Sequence, residues 1–341
     1  MSSLNNVQEA LLRNRHLVHG RLALVGVRDA ALLNHWPAGG LAITEHFGAF
    51  ERLQQVTGWV SVFGAPAKGE VPEPCNTAVV FLPKAREELT FRLKLAASLL
   101  VPGGHLLLIG EKREGIAGAV KQLKLVAPDS EKVDSARHCQ VWLGKPEQHD
   151  TDFSEAAWVG WHTIEAAGVS LEVAGLPGIF SDGRLDEGTA LLLASLDTVA
   201  PSGPVLDFAC GAGVIGAWMQ KRWGVAVDGV DVQAQAVTCA GLTYDRAKSS
   251  GNILPSDGLD AVTARYRTII TNPPFHSGVA TDTSMTENFL KQAARHLNPG
   301  GELRLVANGF LPYPRLIKQY IGNCRVLVKT PRFSVYSAHR H

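Results

Sequence analysis

The chain has 341 residues and a formal net charge of +1, and 45% of its residues are hydrophobic. This length favours two domains, and the near-neutral charge means that any nucleic-acid-binding surface must be a local basic patch. The longest apolar stretch, residues 95–110, is interrupted by Pro102-Gly103-Gly104, which excludes a membrane-spanning helix.

The cysteines and the N-terminus indicate the compartment. The five cysteines are widely spaced and form no CxxC pair. We therefore expect neither a disulfide scaffold nor a zinc site, and the pattern fits a reducing cytosol. The first residues, MSSLNNVQEALLRNRH, lack the basic-then-apolar pattern of a secretion signal. The sequence thus predicts a cytoplasmic protein that binds no metal.

The first half of the chain contains three segments that predict strands. A strand, a tight turn and a helix start are predicted at 21–32, RLALVGVRDAAL. An apolar strand that ends at a proline follows at 77–85, TAVVFLPKA, and a Pro-Gly-Gly turn precedes a strand at 100–110, LVPGGHLLLIG. Strands that alternate with helical patterns are typical of βαβ units on a parallel sheet.

The second half repeats this order of segments. The three counterparts are PVLDFACGAGVI at 204–215, RTIITNPPF at 267–275 and LNPGGELRLVA at 297–307. Any two α/β domains can share a Pro-Gly-Gly turn, but three matches in the same order favour a duplication. A polar stretch at 144–160 suits a linker, so we predict tandem α/β domains at 1–150 and 160–341.

The glycine turn of the second half predicts a ligand site. In VLDFACGAGVIGA, Gly211 and Gly213 allow close approach to the backbone, and a helix opens at about Val214. With Gly216 the segment also resembles a dinucleotide fingerprint. Asp207 argues against that alternative, because its carboxylate has the wrong sign for a diphosphate and suits a cation such as the ammonium of S-adenosylmethionine.

Two further acids follow neighbouring strands. Asp231 ends the strand GVAVDGVDV, about 20 residues after the turn, where an acid is placed to bind ribose hydroxyls. Asp228 competes for this role but lies within the strand. Asp257, in ILPSDGLDAV, is placed to meet an adenine amino group, although an ordinary turn aspartate before Gly258 explains the spacing equally well.

The strand at 267–271 ends in Asn272-Pro273-Pro274-Phe275. Two adjacent prolines remove two backbone donors and fix two φ angles, so the strand cannot continue. The segment is therefore a rigid kink, with an amide before the prolines and an aromatic ring after them. A loop that merely terminates a strand is the alternative if the segment is considered alone.

The order and spacing of these motifs resemble those of class I methyltransferases. Asp207 to Gly213 resembles their first cofactor motif, with Ala209 where glycine is commonest, and Asp231 matches the ribose acid. Asn272-Pro273-Pro274-Phe275 is similar to the [D/N/S]-P-P-[F/Y] motif of enzymes that methylate an amine conjugated to a π-system. The resemblance implies that S-adenosyl-L-methionine is the cofactor.

The same resemblance implies a chemical role for each motif residue. The Asn272 side-chain oxygen and the Pro273 carbonyl accept the two hydrogens of the amine and aim its lone pair at the methyl group. Pro273 and Pro274 hold these acceptors rigid. Phe275 offers a face on which a flipped base stacks. His276 is more simply explained as a packing or hydrogen-bonding residue than as a base.

Across the whole chain, the sequence resembles the bacterial ribosomal RNA guanine-N2 methyltransferases, most specifically the family that acts on the small-subunit 16S rRNA. The residues that carry this resemblance include VDSARHCQVWLGK, LPGIFSDGRLDEGTALLL, NPPFHSG and HLNPGGELRLVANGFLPYP. It implies two tandem Rossmann-like methyltransferase domains. The first is degenerate; the second is catalytic and has a mostly parallel seven-stranded sheet that ends in an antiparallel hairpin.

The resemblance also completes the predicted sites and partners. The implied catalytic residues are Asn272, Pro273, Pro274 and Phe275, and the implied cofactor-binding residues are Phe180, Asp186, Asp207, Gly211, Gly213, Asp231, Val232, Asp257 and Asn272. The implied partner is 16S rRNA, the 30S subunit or its assembly intermediate, and the protein is expected to be a monomer. In the first domain, basic residues that include Lys84, Arg86, Arg92 and Lys121 are candidates for RNA phosphate contacts, although a solvated helix face explains any one of them equally well.

Alternative functions remain open at this point. The kink motif alone also admits adenine N6 in DNA or a glutamine in a release factor, and 23S rRNA is an alternative guanine substrate. A different class of function is a non-catalytic assembly factor that binds rRNA. The complete set of motif residues argues against that class.

Overall fold

The computed structural model describes residues 4–67, 69–71, 73–147, 153–179, 185–274, 284–309 and 312–341. The chain forms two compact units, Met1–Trp158 and Val159–His341. The first unit thus extends beyond residue 150, where the sequence placed its end. Phe153 and Trp158 explain the difference, because both rings pack edge-on against Phe91, with centroids 5.1 and 5.4 Å away.

Helices and strands alternate in the first unit. Its helices are α1 (Asn6–Arg13), α2 (Phe47–Leu53), α3 (Arg86–Ser98) and α4 (Ile116–Val126). Its strands are β1 (Leu22–Val25), β2 (Leu41–Thr44), β3 (Val60–Phe63), β4 (Cys75–Phe81), β5 (Leu100–Glu111), β6 (Glu131–Asp134) and β7 (Cys139–Gly144). Short 3-10 helices occur at Arg15–Leu17, Ala30–His35, Lys112–Glu114 and Glu155–Trp158.

The second unit begins with a two-stranded hairpin and then follows the same order. Its helices are α5 (Glu187–Leu196), α6 (Val214–Trp223), α7 (Ala234–Ala247), α8 (Ser284–His296) and α9 (Tyr313–Tyr320). Its strands are β8 (Gly160–Ala166), β9 (Val169–Gly175), β10 (Val205–Phe208), β11 (Val227–Asp231), β12 (Ile253–Pro255), β13 (Tyr266–Thr271), β14 (Leu297–Asn308), β15 (Cys324–Lys329) and β16 (Phe333–His339).

Each unit contains a seven-stranded, mostly parallel sheet. The strand orders are β3-β2-β1-β4-β5-β7-β6 and β12-β11-β10-β13-β14-β16-β15, so the two topologies are identical. In each sheet the penultimate strand, β7 or β16, runs antiparallel to both of its neighbours. The predicted α/β class, the duplication, the sheet and the closing hairpin at β15 and β16 are therefore confirmed.

The register of the two sheets defines which positions correspond. Leu22 of β1 pairs with Thr77 of β4, and Val205 of β10 pairs with Thr268 of β13. The hydroxyl groups of the two threonines make the same contact, since each donates to a backbone carbonyl that lies three residues before the paired strand residue, at 2.9 and 2.7 Å. These matched contacts show that Thr77 and Thr268 occupy equivalent positions in the two sheets. All further equivalent positions are counted from these two threonines along the strand registers.

The sheets are buried by apolar side chains. In the first unit, β1 alternates between two clusters of buried residues, with Ala23 and Val25 in one and Leu22 and Leu24 in the other. Helices therefore cover both faces of this sheet, as expected for a parallel sheet. In both sheets the carboxyl ends of the central strands meet at one edge, where α/β proteins bind their ligands.

The β8–β9 hairpin was not predicted. The residues of β9 alternate between apolar and polar, but those of β8 do so only weakly, and the hairpin makes contacts with distant segments. Trp218 Nε1 of α6 donates to the Ala166 carbonyl at 2.9 Å, and the Ala174 amide donates to Thr243 Oγ1 of α7 at 3.0 Å. These contacts attach the hairpin to the helices of the second sheet.

No helix within the described ranges is long and apolar enough to cross a membrane. All five cysteines are free thiols. Among the described residues, no group of three or more His, Cys, Asp or Glu side chains is arranged to hold a metal ion.

Candidate active site

The predicted glycine turn joins β10 to α6, which begins at Val214 as the sequence indicated. Gly211 and Gly213 adopt left-handed conformations, with φ of 52° and 80°. A Cβ at Gly213 would lie 3.1 Å from Ala240 Cα and 3.1 Å from the Tyr244 ring, whereas a Cβ at Gly211 would meet nothing within 4 Å. Gly213 is thus needed for helix packing, and Gly211 leaves open space beside the turn.

Ala209 also adopts a left-handed conformation, with φ of 56°. This explains why glycine is the commonest residue at this position of the motif. A Cβ in the left-handed region costs about 1–2 kcal/mol, so Ala209 strains the turn without blocking it. The residue is only half-buried.

Asp207 lies one residue before the end of β10 and is 0% exposed. Neither of its carboxylate oxygens has a hydrogen-bond partner among the described residues. Burial raises the pKa of Asp207 well above its ordinary value, and the nearby Asp231 raises it further. An unpartnered buried carboxyl group destabilises a fold, so it indicates a site completed by a cationic ligand group.

Asp231 connects the end of β11 to the glycine turn. Its Oδ2 accepts from the Gly211 amide at 2.9 Å, and its Oδ1 accepts from the Gln233 amide at 3.0 Å. Burial raises the pKa of Asp231, while these backbone donors oppose the rise. A carboxylate has about four lone-pair positions, so Asp231 keeps accepting capacity for ribose hydroxyls.

The other acids differ in what they contact. Asp228, the competitor for the ribose role, accepts from the Tyr266 hydroxyl and the Asn252 amide, each at 2.9 Å, and so has a structural role. Asp257 follows β12 and is half-buried, and no described residue donates to its carboxylate. Val232 follows Asp231 directly and is also half-buried. Asp257, Val232 and the glycine turn therefore follow three adjacent strands, β12, β11 and β10.

Asn272 follows β13, on the other side of β10. Its Nδ2 donates to Thr189 Oγ1 at 3.0 Å and to both carboxylate oxygens of Asp186 at 3.2 Å each. No described residue donates to Asn272 Oδ1. Pro273 is buried and Pro274 is exposed. The donor end of the amide thus points towards α5, and its acceptor end is unoccupied by any residue that the structure describes.

Asp186 was predicted to bind the cofactor. Within the described residues, it caps a helix and accepts from Asn272. It is the N-cap of α5, and its Oδ1 accepts from the Gly188 and Thr189 amides at 2.9 and 3.2 Å. It also accepts from the Thr189 hydroxyl. Phe180 and Phe275, the remaining predicted site residues, lie outside the described residues, as does His276.

The corresponding edge of the first sheet is filled by Arg92. By the register of the strands, Gly26 corresponds to Ala209 and Phe81 corresponds to Asn272. Arg92 Nη1 donates to the Phe81 carbonyl at 2.7 Å, and a Cβ on Gly26 would lie 2.3 Å from the same nitrogen. Arg92 is only 4% exposed, so its proposed contact with RNA phosphates is wrong.

The second sheet therefore fits S-adenosylmethionine, and the first does not. The second edge offers an unpartnered buried acid for an ammonium group, an acid for a ribose and open space at Gly211. In the first, a guanidinium group takes the equivalent place. This contrast favours the second unit as the catalytic one, on grounds independent of the motif resemblance.

Comparisons with known proteins show the family of the chain. The family model described as "Methyltransferase small domain" matches residues 170–337, and the one described as "Methyltransferase small domain N-terminal" matches residues 8–162. The ribosomal RNA small subunit methyltransferase C of Pseudomonas aeruginosa is 41% identical over 336 residues, which cover 97% of this chain and 98% of the relative. The chain belongs to this methyltransferase family.

Further relatives extend the likeness. The methyltransferase C of Ectopseudomonas mendocina is 42% identical over 334 residues, again covering 97% of this chain and 98% of the relative. Among solved structures, the T. thermophilus 16S rRNA N2 methyltransferase in complex with AdoMet and guanosine has a TM-score of 0.84 and 25% identity, covering 99% of this chain and 92% of that one. The recognised family, the tandem fold and the methyltransferase activity are confirmed.

Two site residues were not found from the sequence. Thr189, on the first turn of α5, contacts Asn272 across 83 positions of sequence. Tyr244, on α7, packs against the glycine turn, and its hydroxyl group is buried without a described partner. The apolar segment TALLL at 189–193 and the helical pattern around Tyr244 predict only that these residues pack in the core. No sequence signal distinguishes these residues from their helical neighbours.

Proposed function

We propose that this enzyme transfers a methyl group from S-adenosylmethionine to the exocyclic N2 amine of a guanine in 16S rRNA. The observation that carries the proposal is the orientation of Asn272, whose acceptor end receives no hydrogen bond from any described residue and lies at the edge of the sheet that also holds Asp207, Gly211 and Asp231. The similarity to small-subunit methyltransferases supports rRNA as the substrate.

The cofactor is held by residues of three strand ends in this proposal. Asp207 faces its ammonium group, Asp231 accepts from its ribose hydroxyls, and Gly211 allows the backbone to approach it. Val232 and Asp257 flank its adenine, and Phe180 lies over its methionine end. When bound, the cofactor supplies an electrophilic methyl group on a sulfonium. The orphaned carboxyl of Asp207 and the open space at Gly211 support this arrangement.

The catalytic residues act on the amine. The lone pair of an aromatic amine is delocalised into its ring, which makes it a weak nucleophile. Asn272 Oδ1 and the Pro273 carbonyl accept the two hydrogens on N2 and direct the lone pair out of the ring plane. Pro274 stiffens the segment, and Phe275 stacks on the flipped base. A strong general base is not required, because the alkylated amine loses a proton readily.

The proposal includes the cellular setting. The enzyme is a cytoplasmic monomer that acts on 16S rRNA in the 30S subunit or in its assembly intermediate. It needs no metal, because positioned hydrogen-bond acceptors suffice for direct methyl transfer to an amine.

A single assay tests the function. Methyl transfer from labelled cofactor is measured on unmodified 16S rRNA, 23S rRNA, 30S particles and DNA, followed by nucleoside analysis. Label in N2-methylguanosine from 16S rRNA or 30S particles supports the proposal. Label chiefly in 23S rRNA would make 23S rRNA the substrate instead, and label in N6-methyladenine would make the protein an adenine methyltransferase. An RNA-binding protein that transfers no label would be a non-catalytic assembly factor.

A further inference from the structure

The contacts of the Asn272 side chain specify which way round its amide is held. An amide has one end that only donates and one end that only accepts, and the two ends have nearly the same shape. Methyl transfer to an amine needs the accepting end, Oδ1, at the substrate. An inverted amide would present hydrogens to the hydrogens of the amine, so the orientation of Asn272 decides whether it assists.

Asp186 supplies the first constraint on this orientation. Both of its carboxylate oxygens lie 3.2 Å from Asn272 Nδ2. An ionised carboxylate can only accept hydrogen bonds, and an inverted amide would place Oδ1 against two negatively charged oxygens. The carboxylate itself is held by the Gly188 and Thr189 amides at the start of α5. Its position is therefore fixed by the helix rather than by Asn272.

Thr189 supplies a second constraint, which acts together with the first. Its hydroxyl donates to Asp186 Oδ2, so its only hydrogen is already committed. The hydroxyl oxygen can then only accept, and it accepts from Asn272 Nδ2 at 3.0 Å. All three oxygens around Nδ2 thus demand a donor, and none tolerates the inverted amide.

We propose that Asp186 and Thr189 are positioning residues that hold the amide of Asn272 with Oδ1 towards the substrate amine. This inference rests on the proposed function and assigns to Asp186 a role other than the cofactor contact that the sequence indicated. Neither residue touches the reacting atoms. Their contribution is to the chemical step, because they remove the need to turn the amide at reaction.

Asp186→Asn isolates this role from helix capping. Asparagine caps helices about as well as aspartate. Its side chain can donate as well as accept, so it no longer rejects an inverted Asn272. We expect the single-turnover methylation rate at saturating cofactor to fall about 10–100-fold. The cofactor Kd, measured by calorimetry, should stay within about twofold of the parent value.

Matched variants separate positioning from a general structural effect. Thr189→Val removes the accepting hydroxyl and should also slow the reaction, whereas Thr189→Ser retains it and should restore most of the rate. Glu187→Gln is the control on the same helical turn, because Glu187 pairs with Arg332 at the surface rather than with Asn272. That variant should methylate at the parent rate.

A double-mutant cycle gives the sharpest test. If Asp186 acts only through Asn272, then Asp186→Asn should cause no further loss in an Asn272→Ala background. Additive losses would overturn the proposal. A cofactor Kd that weakens as much as the rate falls would instead make Asp186 a cofactor ligand. These outcomes are distinct from failure of the proposed function, in which the parent enzyme itself would methylate no guanine N2.

Discussion

Arg92 binds Glu45 through both arms of its guanidinium group, at the edge of the first sheet that corresponds to the cofactor edge of the second. Nε lies 2.7 Å from Glu45 Oε1, and Nη2 lies 2.9 Å from Oε2. Nη2 also lies 2.8 Å from Glu88 Oε1. Glu45 directly follows Thr44, whose position corresponds to that of Asp231. A positively charged side chain therefore fills the place that corresponds to the proposed site of a positively charged cofactor in the second sheet.

This relationship predicts one cofactor per chain. The Arg92 guanidinium and its two carboxylates occupy the first sheet edge, and the turn after β1 leaves no room even for a Cβ on Gly26. Calorimetric titration with S-adenosylmethionine or its demethylated product should give a stoichiometry of one. A stoichiometry of two would show that the first domain binds cofactor after all.

Arg92→Ala should destabilise the first domain strongly. The substitution leaves Glu45 and Glu88 buried without their cation, which typically costs about 3–5 kcal/mol of unfolding free energy. Arg137→Ala is the matched control, because Arg137 pairs with Glu9 at the surface, where the two side chains are 67% and 40% exposed. That pair should contribute no more than about 1 kcal/mol. Denaturant unfolding measures both, and equal losses would contradict a buried role for Arg92.

Asp207→Asn should stabilise the cofactor-free protein at neutral pH. The pKa of Asp207 is raised in the folded state, so this state holds the proton more tightly than the unfolded chain. The contribution of Asp207 to the unfolding free energy therefore falls as pH rises from about 4 through the raised pKa. An asparagine never ionises and avoids this loss. Parent and variant should converge below about pH 4.

The same variant should bind cofactor less tightly, because a neutral amide replaces the carboxylate that we propose faces the ammonium group. Unfolding curves at a series of pH values, with and without cofactor, measure both effects. Identical pH profiles for parent and variant would show that Asp207 has a partner in solution. If the variant gained stability without losing cofactor affinity, Asp207 would not contact the cofactor.

The sequence predicted the elements of this site better than their contacts. Strand ends, glycine turns and the Asn-Pro-Pro-Phe kink are local features, so the fold and the positions of Asp231 and Asn272 could be read from the pattern. The contacts of Asp186 and Arg92 could not. Each depends on a partner tens of residues away, Asn272 for Asp186 and Glu45 for Arg92. A helix-capping aspartate and a helical arginine look ordinary in sequence.

Asp231→Ala should weaken cofactor binding by roughly 1–3 kcal/mol, because the ribose hydroxyls lose their acceptor. The substitution also frees the Gly211 and Gln233 amides, so part of the loss will come from a looser glycine turn. Asp231→Asn keeps one accepting oxygen and should lose less. Calorimetry with the cofactor and with adenosine distinguishes a ribose contact from a methionine contact. Unchanged affinity for both ligands would exclude Asp231 from the site.

Asn272→Ala should slow methyl transfer and leave cofactor binding nearly unchanged. The variant removes one of the two acceptors for the N2 hydrogens, while the Pro273 carbonyl remains. An acceptor aligned only at the transition state affects the rate more than the binding of RNA. By analogy with the loss of one oxyanion-hole partner, the single-turnover rate should fall about 10²–10³-fold. Asn252→Ala is the control, because that amide contacts Asp228 instead.

Phe275→Ala should affect binding of the flipped base, whereas Asn272→Ala should affect the methyl-transfer step, so comparing the two variants shows on which step Asn272 acts. Lost stacking, on the order of 1–3 kcal/mol, acts largely on the flipped base, so this variant should raise the RNA concentration needed for half-maximal rate as well as slow the reaction. Asn272→Ala should lower the rate at every RNA concentration without that shift. Single-turnover kinetics at saturating cofactor separate the two patterns. If Asn272→Ala methylated guanine at close to the parent rate, alignment of the amine by the Asn272 amide would be wrong, and the positioning role of Asp186 would be wrong with it.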